Sequence, residues 1–302
     1  MKVVVSGASG MIGTALTRAL TARGDTVVPL VRRPVRPGEQ AVEWDPRAGT
    51  IDAAALEEVD AVVHLAGENI GARRWTDAQK AALLESRTRG TTLLAEALAG
   101  LDAPPAVFVS ASAIGYYGDR GDEVLTEHSD PGSDFLADLC VRWESCSRFA
   151  AARGIRTVNP RTGIVLDAKE GALGRQLLPF KLGLGGRIGS GRQWQSWISL
   201  DDEIGALCHL LDTEVEGPVN LVAPNPVVNA EFARTLGTVL RRPTVLPIPV
   251  FAPALLYGRE LVEALLLSSQ RVNPSVLLAS GYEFRHITLE DALRHALDRP
   301  AA

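Results

Sequence analysis

The first half of the chain alternates short apolar runs with longer amphipathic runs. The apolar runs predict strands at Lys2–Ser6, Thr26–Val31, Ala61–Leu65, Ala106–Ser110 and Arg156–Pro160. The amphipathic runs predict helices at Met11–Ala22, Asp77–Leu98 and Asp134–Ala152. Strands that are apolar throughout are typical of a parallel sheet that is buried on both faces. The pattern therefore predicts an α/β fold with a Rossmann-type, doubly wound parallel sheet over residues 1–165.

The pattern changes after residue 165. Residues 182–191 are rich in glycine, and residues 243–253 contain four prolines. Helical periodicity returns at Asn229–Leu240, Ala254–Leu267 and Leu289–Leu297. We expect residues 166–302 to form a smaller substrate-binding domain that closes over the carboxyl ends of the strands, where doubly wound sheets bind ligands. One apolar run, near 217–223, is expected to return to the sheet.

Composition and net charge argue against a nucleic-acid-binding protein and a membrane protein. The net charge of -5 and the pI near 5.6 argue against a nucleic-acid-binding surface. No apolar run is long enough to suggest a membrane span or a signal peptide. The three cysteines have no metal-ligand spacing, which predicts reduced thiols, no metal site and a cytoplasmic location.

A glycine-rich turn joins the first predicted strand to the first predicted helix. It reads Ser6-Gly7-Ala8-Ser9-Gly10-Met11-Ile12-Gly13. Glycines at this spacing let the backbone approach a pyrophosphate, and the free N–H groups of the following helix favour anions. The context favours a dinucleotide site over a glycine-rich connection that binds nothing.

The residues at the end of the second predicted strand indicate which dinucleotide the site prefers. NAD sites usually have an acidic residue there, whereas a cation accommodates the 2′-phosphate of NADP. This chain has Arg32 and Arg33 and no acidic residue at that point. The sequence therefore favours NADP(H), with a solvated basic turn as the alternative.

Several segments together resemble one known family. They include His64-Leu65-Ala66-Gly67-Glu68-Asn69-Ile70, Ile114-Gly115-Tyr116-Tyr117-Gly118, Leu178-Pro179-Phe180-Lys181-Leu182-Gly183-Leu184-Gly185-Gly186 and Asn229-Ala230-Glu231-Phe232. The chain resembles the atypical, extended-like short-chain dehydrogenase/reductases, in the NAD(P)-dependent epimerase/dehydratase "epimerase family" branch. That branch carries a family-specific C-terminal domain.

The resemblance implies a set of cofactor contacts. They are Ser9, Gly10, Met11 and Ile12 at the pyrophosphate, Arg32 at the 2′-phosphate, Asp45 at the adenine, Leu65, Ala66 and Gly67 at the nicotinamide ribose, Arg87 as a cofactor-facing helix residue, and Thr162 and Leu166 at the nicotinamide. The glycine motif adds Gly7 and Gly13 to the cofactor-binding residues, and the end of the second strand adds Arg33. Leu65 and Ala66 would be buried in any such sheet. The alternative for Arg87 is an ion pair with Glu85 or Asp77 on the helix surface.

The proton relay that the resemblance implies is missing. Short-chain dehydrogenases generally use a Tyr with a Lys four residues later, and none of the four tyrosines here has that Lys. Leu136 and Cys140 stand at the expected positions. The apolar neighbours of Cys140 favour a buried, inert thiol over a nucleophile.

Three residues are candidates to replace the relay. Ser112 follows the strand at Ala106–Ser110, and its alternative is a hydroxyl that caps the turn. Tyr117, or its neighbour Tyr116, could offer a phenol to the substrate, with aromatic packing against the second domain as the alternative. Glu68 could act as a base beside the nicotinamide, or pair with Arg73 or Arg74.

Two further positions concern histidine, one where it is present and one where serine replaces it. His64 lies in an apolar strand and is interpreted as a core residue rather than a base. Ser199 follows Trp197-Ile198, where relatives usually have a His.

The leading hypothesis is an NADP(H)-dependent oxidoreductase or epimerase acting on an unidentified small molecule. The alternative is a nucleotide-sensing or regulatory protein, related to cell division, that has lost catalysis. The sequence leaves the oligomeric state open.

Overall fold

The computed structural model describes residues 1–300. Its strands are β1 (Lys2–Ser6), β2 (Thr26–Val31), β3 (Val42–Asp45), β4 (Thr50–Ile51), β5 (Ala61–His64), β6 (Val107–Ser110), β7 (Ser112–Ala113), β8 (Val124–Leu125), β9 (Arg156–Thr162), β10 (Ile164–Leu166), β11 (Trp194–Gln195), β12 (Trp197–Ser199), β13 (Gly217–Leu221), β14 (Val227–Val228) and β15 (Arg271–Val272). Its α-helices are α1 (Met11–Ala22), α2 (Asp77–Ala99), α3 (Phe135–Cys146), α4 (Arg148–Ala152), α5 (Gly171–Lys181), α6 (Leu200–Asp212), α7 (Asn229–Leu240), α8 (Phe251–Tyr257), α9 (Arg259–Val262), α10 (Ser275–Ala279) and α11 (Leu289–Ala296). Short 3-10 turns span Ala53–Leu56 and Ile114–Tyr117, and a π-turn spans Glu263–Leu267.

The central sheet confirms the predicted doubly wound fold. Within residues 1–300 it has nine strands in the order β13-β9-β6-β5-β1-β2-β3-β4, with β7 paired to β9. All its pairs are parallel except that of β3 with β4. The order reverses between β1 and β5, and such a reversal opens a ligand crevice at the carboxyl ends of the strands.

Two apolar layers explain why the central strands are apolar at every position. Val3 and Val5 face a cluster that contains Leu16 of α1 and Leu207 of α6. Val4 faces the opposite cluster, with Leu94 and Leu98 of α2. Successive side chains of a strand point to opposite faces, so a strand covered on both faces needs apolar residues throughout.

The second unit has its own core, but two of its elements pack with the sheet. Trp197, Phe232 and Leu236 lie in the core that α5, α7 and α11 share. In contrast, α6 packs on α1, and β13 pairs in parallel with β9. Residues 200–221 therefore belong to the sheet layers although they follow residue 165. Within residues 1–300, none of the helices has both the length and the apolar character needed to cross a bilayer.

Two predicted helices are broken. The helix expected at Asp134–Ala152 ends at Cys146 and resumes at Arg148. Between them, the Ser147 hydroxyl donates to the Glu144 carbonyl oxygen at 2.7 Å, a local bond that competes with helix geometry. The helix expected at Ala254–Leu267 is interrupted at Gly258, whose φ of 90° is incompatible with a right-handed helix.

Candidate functional site

The glycine turn after β1 is tightly packed. Gly7 has a φ of +69°, and a Cβ there would lie 3.0 Å from the backbone nitrogen of Ala66 at the end of β5. A Cβ at Gly13 would lie 2.1 Å from the Gly7 carbonyl oxygen. Glycine at these two positions therefore brings α1 directly against the turn and against the next strand.

The amino-terminal end of α1 is suited to an anion. Its N-cap, Gly10, has an extended conformation and provides no capping side chain, and the first turn contains no acidic residue. Ser9 and Gly10 are exposed, while Met11 and Ile12 are half-buried. The N–H groups of this turn and the helix dipole together favour a phosphate.

Only one of the two predicted phosphate ligands is free. Arg33 donates from Nη1 to Glu39 Oε2 at 2.9 Å, and its Nη2 also pairs with this carboxylate. Arg32 is exposed and forms no hydrogen bond or ion pair with any residue of the described chain. The structure therefore separates the two: Arg32 is available for a ligand, and Arg33 is held by Glu39.

Asp45 lies at the end of β3, beside the end of β2. Its Oδ1 accepts hydrogen bonds from the backbone N–H groups of Arg47 at 2.8 Å and Ala48 at 3.2 Å. These bonds shape the turn between β3 and β4. The adenine contact implied by the resemblance stays a prediction for this carboxylate.

A hydroxyl that the sequence did not single out joins β1 to β5. Ser6 Oγ accepts from the N–H groups of Leu65 at 3.1 Å and Ala66 at 3.2 Å, and it lies 2.6 Å from His64 Nδ1. With two N–H donors already on this oxygen, its own proton is directed to Nδ1. Burial and the nearby Arg87 charge lower the pKa of His64 to about 4, so the imidazole is neutral. His64 is a core residue, as predicted.

Arg87 reaches the end of β5 rather than the helix surface. Its guanidinium carbon lies 3.3 Å from where a Cβ of Gly67 would be, and 5.0 Å from the Trp143 ring centre. Glu85 pairs instead with Arg89 at 3.3 Å. The alternative for Arg87, an ion pair with Glu85 or Asp77 on the helix surface, is therefore wrong, and the cofactor contact stays a prediction.

Glu68 is half-buried at the same edge. Its Oε1 accepts from Gln79 Nε2 at 2.9 Å, and its backbone N–H donates to Ser86 Oγ at 3.2 Å. Neither Arg73 nor Arg74 pairs with it among residues 1–300. Its role as a base stays a prediction.

Ser112 belongs to a buried polar network that the sequence analysis missed. Its Oγ donates to Glu144 Oε1 at 2.6 Å, and Arg161 binds both oxygens of that carboxylate, at 2.8 Å and 2.9 Å. Arg161 is 3% exposed and stacks on the Tyr116 ring at 3.4 Å. The available signal was Arg161, which directly follows the predicted strand Arg156–Pro160.

The prediction that Tyr117 presents its phenol to a substrate is wrong. Tyr117 is fully buried; its hydroxyl donates to Asn220 Oδ1 at 2.7 Å and accepts from Arg161 Nη1 at 3.0 Å. Burial raises the pKa of the phenol to about 12. Tyr117 therefore connects β9 and β13 within the protein interior and is not available for proton transfer near neutral pH.

Cys140 lies beside this network and is inert. Burial raises the pKa of its thiol to about 12, and the side chain is 2% exposed. Leu136 is also buried, at 6% exposure. The two positions that should carry the Tyr and Lys thus hold apolar contacts.

Thr162 at the end of β9 and Leu166 at the end of β10 lie in different surroundings. Thr162 Oγ1 donates to Glu203 Oε1 at 2.8 Å, while Glu203 Oε2 is buried without a partner in residues 1–300. Burial raises the pKa of Glu203 to about 8. Leu166 is 1% exposed in the core of the second unit, so the expectation that its side chain lines the nicotinamide is wrong.

The histidine absent at position 199 is replaced from elsewhere in the chain. His286 Nδ1 lies 3.0 Å from Ser199 Oγ, and the backbone N–H of His286 donates to Asp202 Oδ2 at 3.0 Å. Asp202 is fully buried and also accepts from Ser199 Oγ at 2.7 Å. This cluster ties α6 to the C-terminal segment, which is a structural role.

Several of the predicted site residues lie along the carboxyl edge of the sheet. The glycine turn and Arg32 lie at the ends of β1 and β2, Gly67 and Arg87 at β5, and Ser112 after β6. In the described part of the chain, no cluster of three metal-binding side chains occurs. A turn suited to phosphate at the end of β1, and a hydroxyl next to a carboxylate after β6, are compatible with an extended dinucleotide and a small molecule beside it.

Comparison with known proteins identifies the family. The profile of the NAD dependent epimerase/dehydratase family matches residues 3–223, and that of a domain of unknown function, DUF1731, matches residues 248–296. The epimerase family protein Mb2239 of Mycobacterium bovis is 46% identical over 299 residues, covering 99% of this chain and 98% of that protein. The human epimerase family protein SDR39U1 is 41% identical over 298 residues, covering 97% of this chain and 99% of that protein.

Solved structures agree with these relatives. The human SDR39U1 crystal structure with NADPH has a TM-score of 0.90 at 39% identity and covers 99% of each chain. A nucleoside-diphosphate sugar epimerase from Corynebacterium glutamicum has a TM-score of 0.80 at 36% identity, covering 98% of this chain and 58% of that one. The chain therefore belongs to the NAD dependent epimerase/dehydratase family.

Proposed function

We propose that this protein binds NADP(H) along the carboxyl edge of its sheet and uses it for oxidoreductase or epimerase chemistry on a small molecule. The observation that carries the cofactor assignment is the contrast between the free Arg32 and the paired Arg33 at the end of β2. The NADPH in the human SDR39U1 structure supports the same choice.

The residues present fit this nucleotide. Gly7 and Gly13 let α1 pack directly against the turn, so that the bare N-terminus of α1 is in place to bind the pyrophosphate. Arg32 would hold the 2′-phosphate through charge-assisted hydrogen bonds. When bound, the nicotinamide supplies the hydride donor or acceptor.

Ser112 is only 4% exposed, but its Oγ makes no hydrogen bond that uses its lone pairs within residues 1–300, and we infer that it holds the reacting oxygen of the substrate. Because its own proton is donated to Glu144 at 2.6 Å, its lone pairs are free to accept a hydrogen bond from a substrate hydroxyl. A proton released by that hydroxyl can pass through Ser112 Oγ to Glu144 Oε1. Arg161 binds both oxygens of Glu144 and holds this carboxylate ionised and in position to accept a hydrogen bond from Ser112.

The cofactor assignment is tested with Arg32→Ala and its neighbour Arg33→Ala. We expect Arg32→Ala to weaken NADPH binding about 10- to 100-fold, because two or more charge-assisted hydrogen bonds are lost. NADH affinity should be unchanged. Arg33→Ala is the matched control and should have a small effect on both. Isothermal titration of the three proteins with both nucleotides measures this; equal NADPH and NADH affinities in the wild type would contradict the assignment.

The reaction class is tested with NADPH that carries deuterium at the nicotinamide C4 position. We expect the purified protein to transfer deuterium to a component of a metabolite extract, detected by mass spectrometry. Ser112→Ala should reduce the transfer rate about 100-fold or more, in keeping with loss of a proton-transfer group. The control is the same variant's NADPH affinity, which should match that of the wild type.

A second function, nucleotide sensing without turnover, is favoured by one specific observation. The two positions of the usual relay hold the buried Leu136 and Cys140, and Tyr117 is buried with both hydrogen-bonding sides of its hydroxyl engaged. Tight NADPH binding with neither deuterium transfer to any extract component nor NADP+-dependent epimerisation of one would support sensing and contradict the enzymatic proposal.

A further inference from the structure

The surface of the second unit carries large apolar side chains that the fold leaves in water. At the C-terminal end of α5 and just beyond it, Leu178, Leu182 and Leu184 are 66%, 65% and 67% exposed. In the loop before α8, Val245 and Leu246 are 86% and 71% exposed. Single exposed apolar residues are ordinary on a protein surface, whereas a group of them marks an interaction site.

Helix α8 adds three more exposed apolar side chains. Its sequence, Phe251–Tyr257, has no charged residue, and none of these residues is buried. Phe251, Leu255 and Leu256 are 74%, 79% and 73% exposed. Helices that are apolar on all sides are normally buried. At roughly 100 Å² for each side chain, these eight residues expose more apolar surface than the largest patch of a typical monomer, which is about 300–600 Å².

Backbone contacts join the two segments that carry these side chains. Arg242 Nε donates to the Lys181 carbonyl oxygen at 2.8 Å, and the N–H of Ile248 donates to the Arg187 carbonyl oxygen at 2.8 Å. Helix α8 begins shortly after Ile248. The eight side chains therefore lie on neighbouring parts of one surface, which we call the apolar face.

The segments that carry the apolar face contain cations and no acidic residue. Residues 171–192 and 241–258 together hold six exposed cations, and neither aspartate nor glutamate occurs there. Within residues 1–300, none of the six forms an ion pair. They are Arg175, Lys181, Arg187, Arg192, Arg241 and Arg242. The net charge of the whole chain, -5, conceals this local positive charge.

Charge and chemistry together indicate what covers this face. A second copy of the chain would bring like charges against one another, which disfavours a symmetric dimer. Nucleic-acid sites stack bases on aromatic side chains, whereas seven of the eight residues here are aliphatic. Protruding aliphatic side chains beside unpaired cations fit a bilayer with anionic headgroups, because the apolar tips enter the acyl boundary while the cations stay with the phosphates.

We propose that the apolar face and its six cations dock this protein on the surface of an anionic lipid membrane, without crossing it. The face adjoins the loop that follows β5, since Arg175 Nη1 donates to the Gly71 carbonyl oxygen at 2.7 Å. Docking therefore holds this end of the sheet near the bilayer. None of the residues of the face is a proposed nucleotide contact, so membrane docking and nucleotide binding can be tested separately.

Sedimentation of the purified protein with vesicles tests the docking. Vesicles of phosphatidylcholine containing about one-third phosphatidylserine are compared with vesicles of phosphatidylcholine alone. We expect the wild type to bind the anionic vesicles at least about 10-fold more tightly. Binding should weaken as added salt screens the cations.

Two double variants separate the apolar contribution from the charged one. Leu255→Ser with Leu256→Ser removes apolar tips from α8, and Lys181→Gln with Arg241→Gln removes two cations. Each is expected to weaken binding to the anionic vesicles about 10-fold or more. Because all four side chains are exposed, both variants should keep the wild-type melting temperature, measured by circular dichroism.

Matched controls replace exposed residues outside the apolar face. Phe149→Ser with Ile287→Ser removes two apolar side chains that are 50% and 52% exposed. Arg148→Gln with Arg153→Gln removes two exposed cations. Both controls should bind the anionic vesicles like the wild type. Should the α8 variant melt at a lower temperature, Val245→Ser with Leu246→Ser decides the outcome by the same criteria.

Three results would overturn the proposal. The first is a wild type that does not bind the anionic vesicles at low salt. The second is an α8 variant that binds them like the wild type, because charge alone then attracts the protein and an acidic macromolecule is the better ligand. The third is a dimer in analytical ultracentrifugation that the α8 variant dissociates, because a second copy then covers the apolar face.

Discussion

Replacing Arg161 with Met is expected to lower the free energy of unfolding by about 3 to 5 kcal/mol. Arg161 is 3% exposed and binds both carboxylate oxygens of Glu144, so its removal leaves a mostly buried carboxylate without its counter-ion. The substitution also removes the stack on Tyr116 and the bond to Tyr117. Urea unfolding of the purified variant measures the loss.

The control for Arg161→Met is an exposed ion pair on α3. Arg142 pairs with Asp138 at 2.9 Å, and both side chains are more than half exposed. Such pairs contribute little, so Arg142→Met should leave stability almost unchanged. The double variant Arg161→Met with Glu144→Gln should recover part of the loss, because no unpaired charge remains. A loss below about 1 kcal/mol for Arg161→Met would contradict the assigned role.

Glu203→Gln is expected to change how stability depends on pH. Burial raises the folded-state pKa of Glu203 from 4.5 to about 8. Between these values the folded protein keeps a proton that the unfolded chain releases, so stability falls as pH rises from about 4.5 and levels off above about 8. The glutamine variant lacks this ionisation. Its stability relative to the wild type should therefore increase by roughly 3 kcal/mol between pH 5 and pH 8.

The measurement for Glu203 is a difference between two proteins at two pH values. Comparing the variant with the wild type removes the contributions of all other titrating groups, which both share. Glu283→Gln, at an exposed loop position, is the control and should show no such trend. A variant whose stability parallels that of the wild type across this range would show that Glu203 is ionised in the folded protein at ordinary pH.

Much of the sheet was predictable because its strands are buried on both faces. Continuous apolar runs gave β1 and β2 with their observed bounds, and the first amphipathic run gave α1. The short strands β7, β10 and β12 were not predicted, since two or three residues carry no periodicity. Helix α5 lies in a stretch whose glycines and internal Pro179 argue against a helix, and its apolar contacts with the second core override that tendency.

The candidate site likewise contains some residues that were predictable from the sequence and others that were not. Gly7, Gly10 and Gly13 were recognisable because their function depends on consecutive backbone positions. Glu144 and Arg161 were not, because they are 17 residues apart and meet only when α3 packs beside β9. Tyr117 was assigned to the substrate since its sequence position follows Ser112, but the 3-10 turn at Ile114–Tyr117 directs it into the interior.

The sequence by itself determined the doubly wound sheet, the phosphate-binding turn and the loss of the Tyr–Lys pair, since these depend on local periodicity and on which residue types are present. Only the tertiary structure decided which charged groups are free. It paired Arg33 with Glu39 and left Arg32 open, buried Tyr117, and placed Arg87 under Gly67. Availability of a side chain depends on neighbours that are distant in sequence, and packing alone brings those neighbours together.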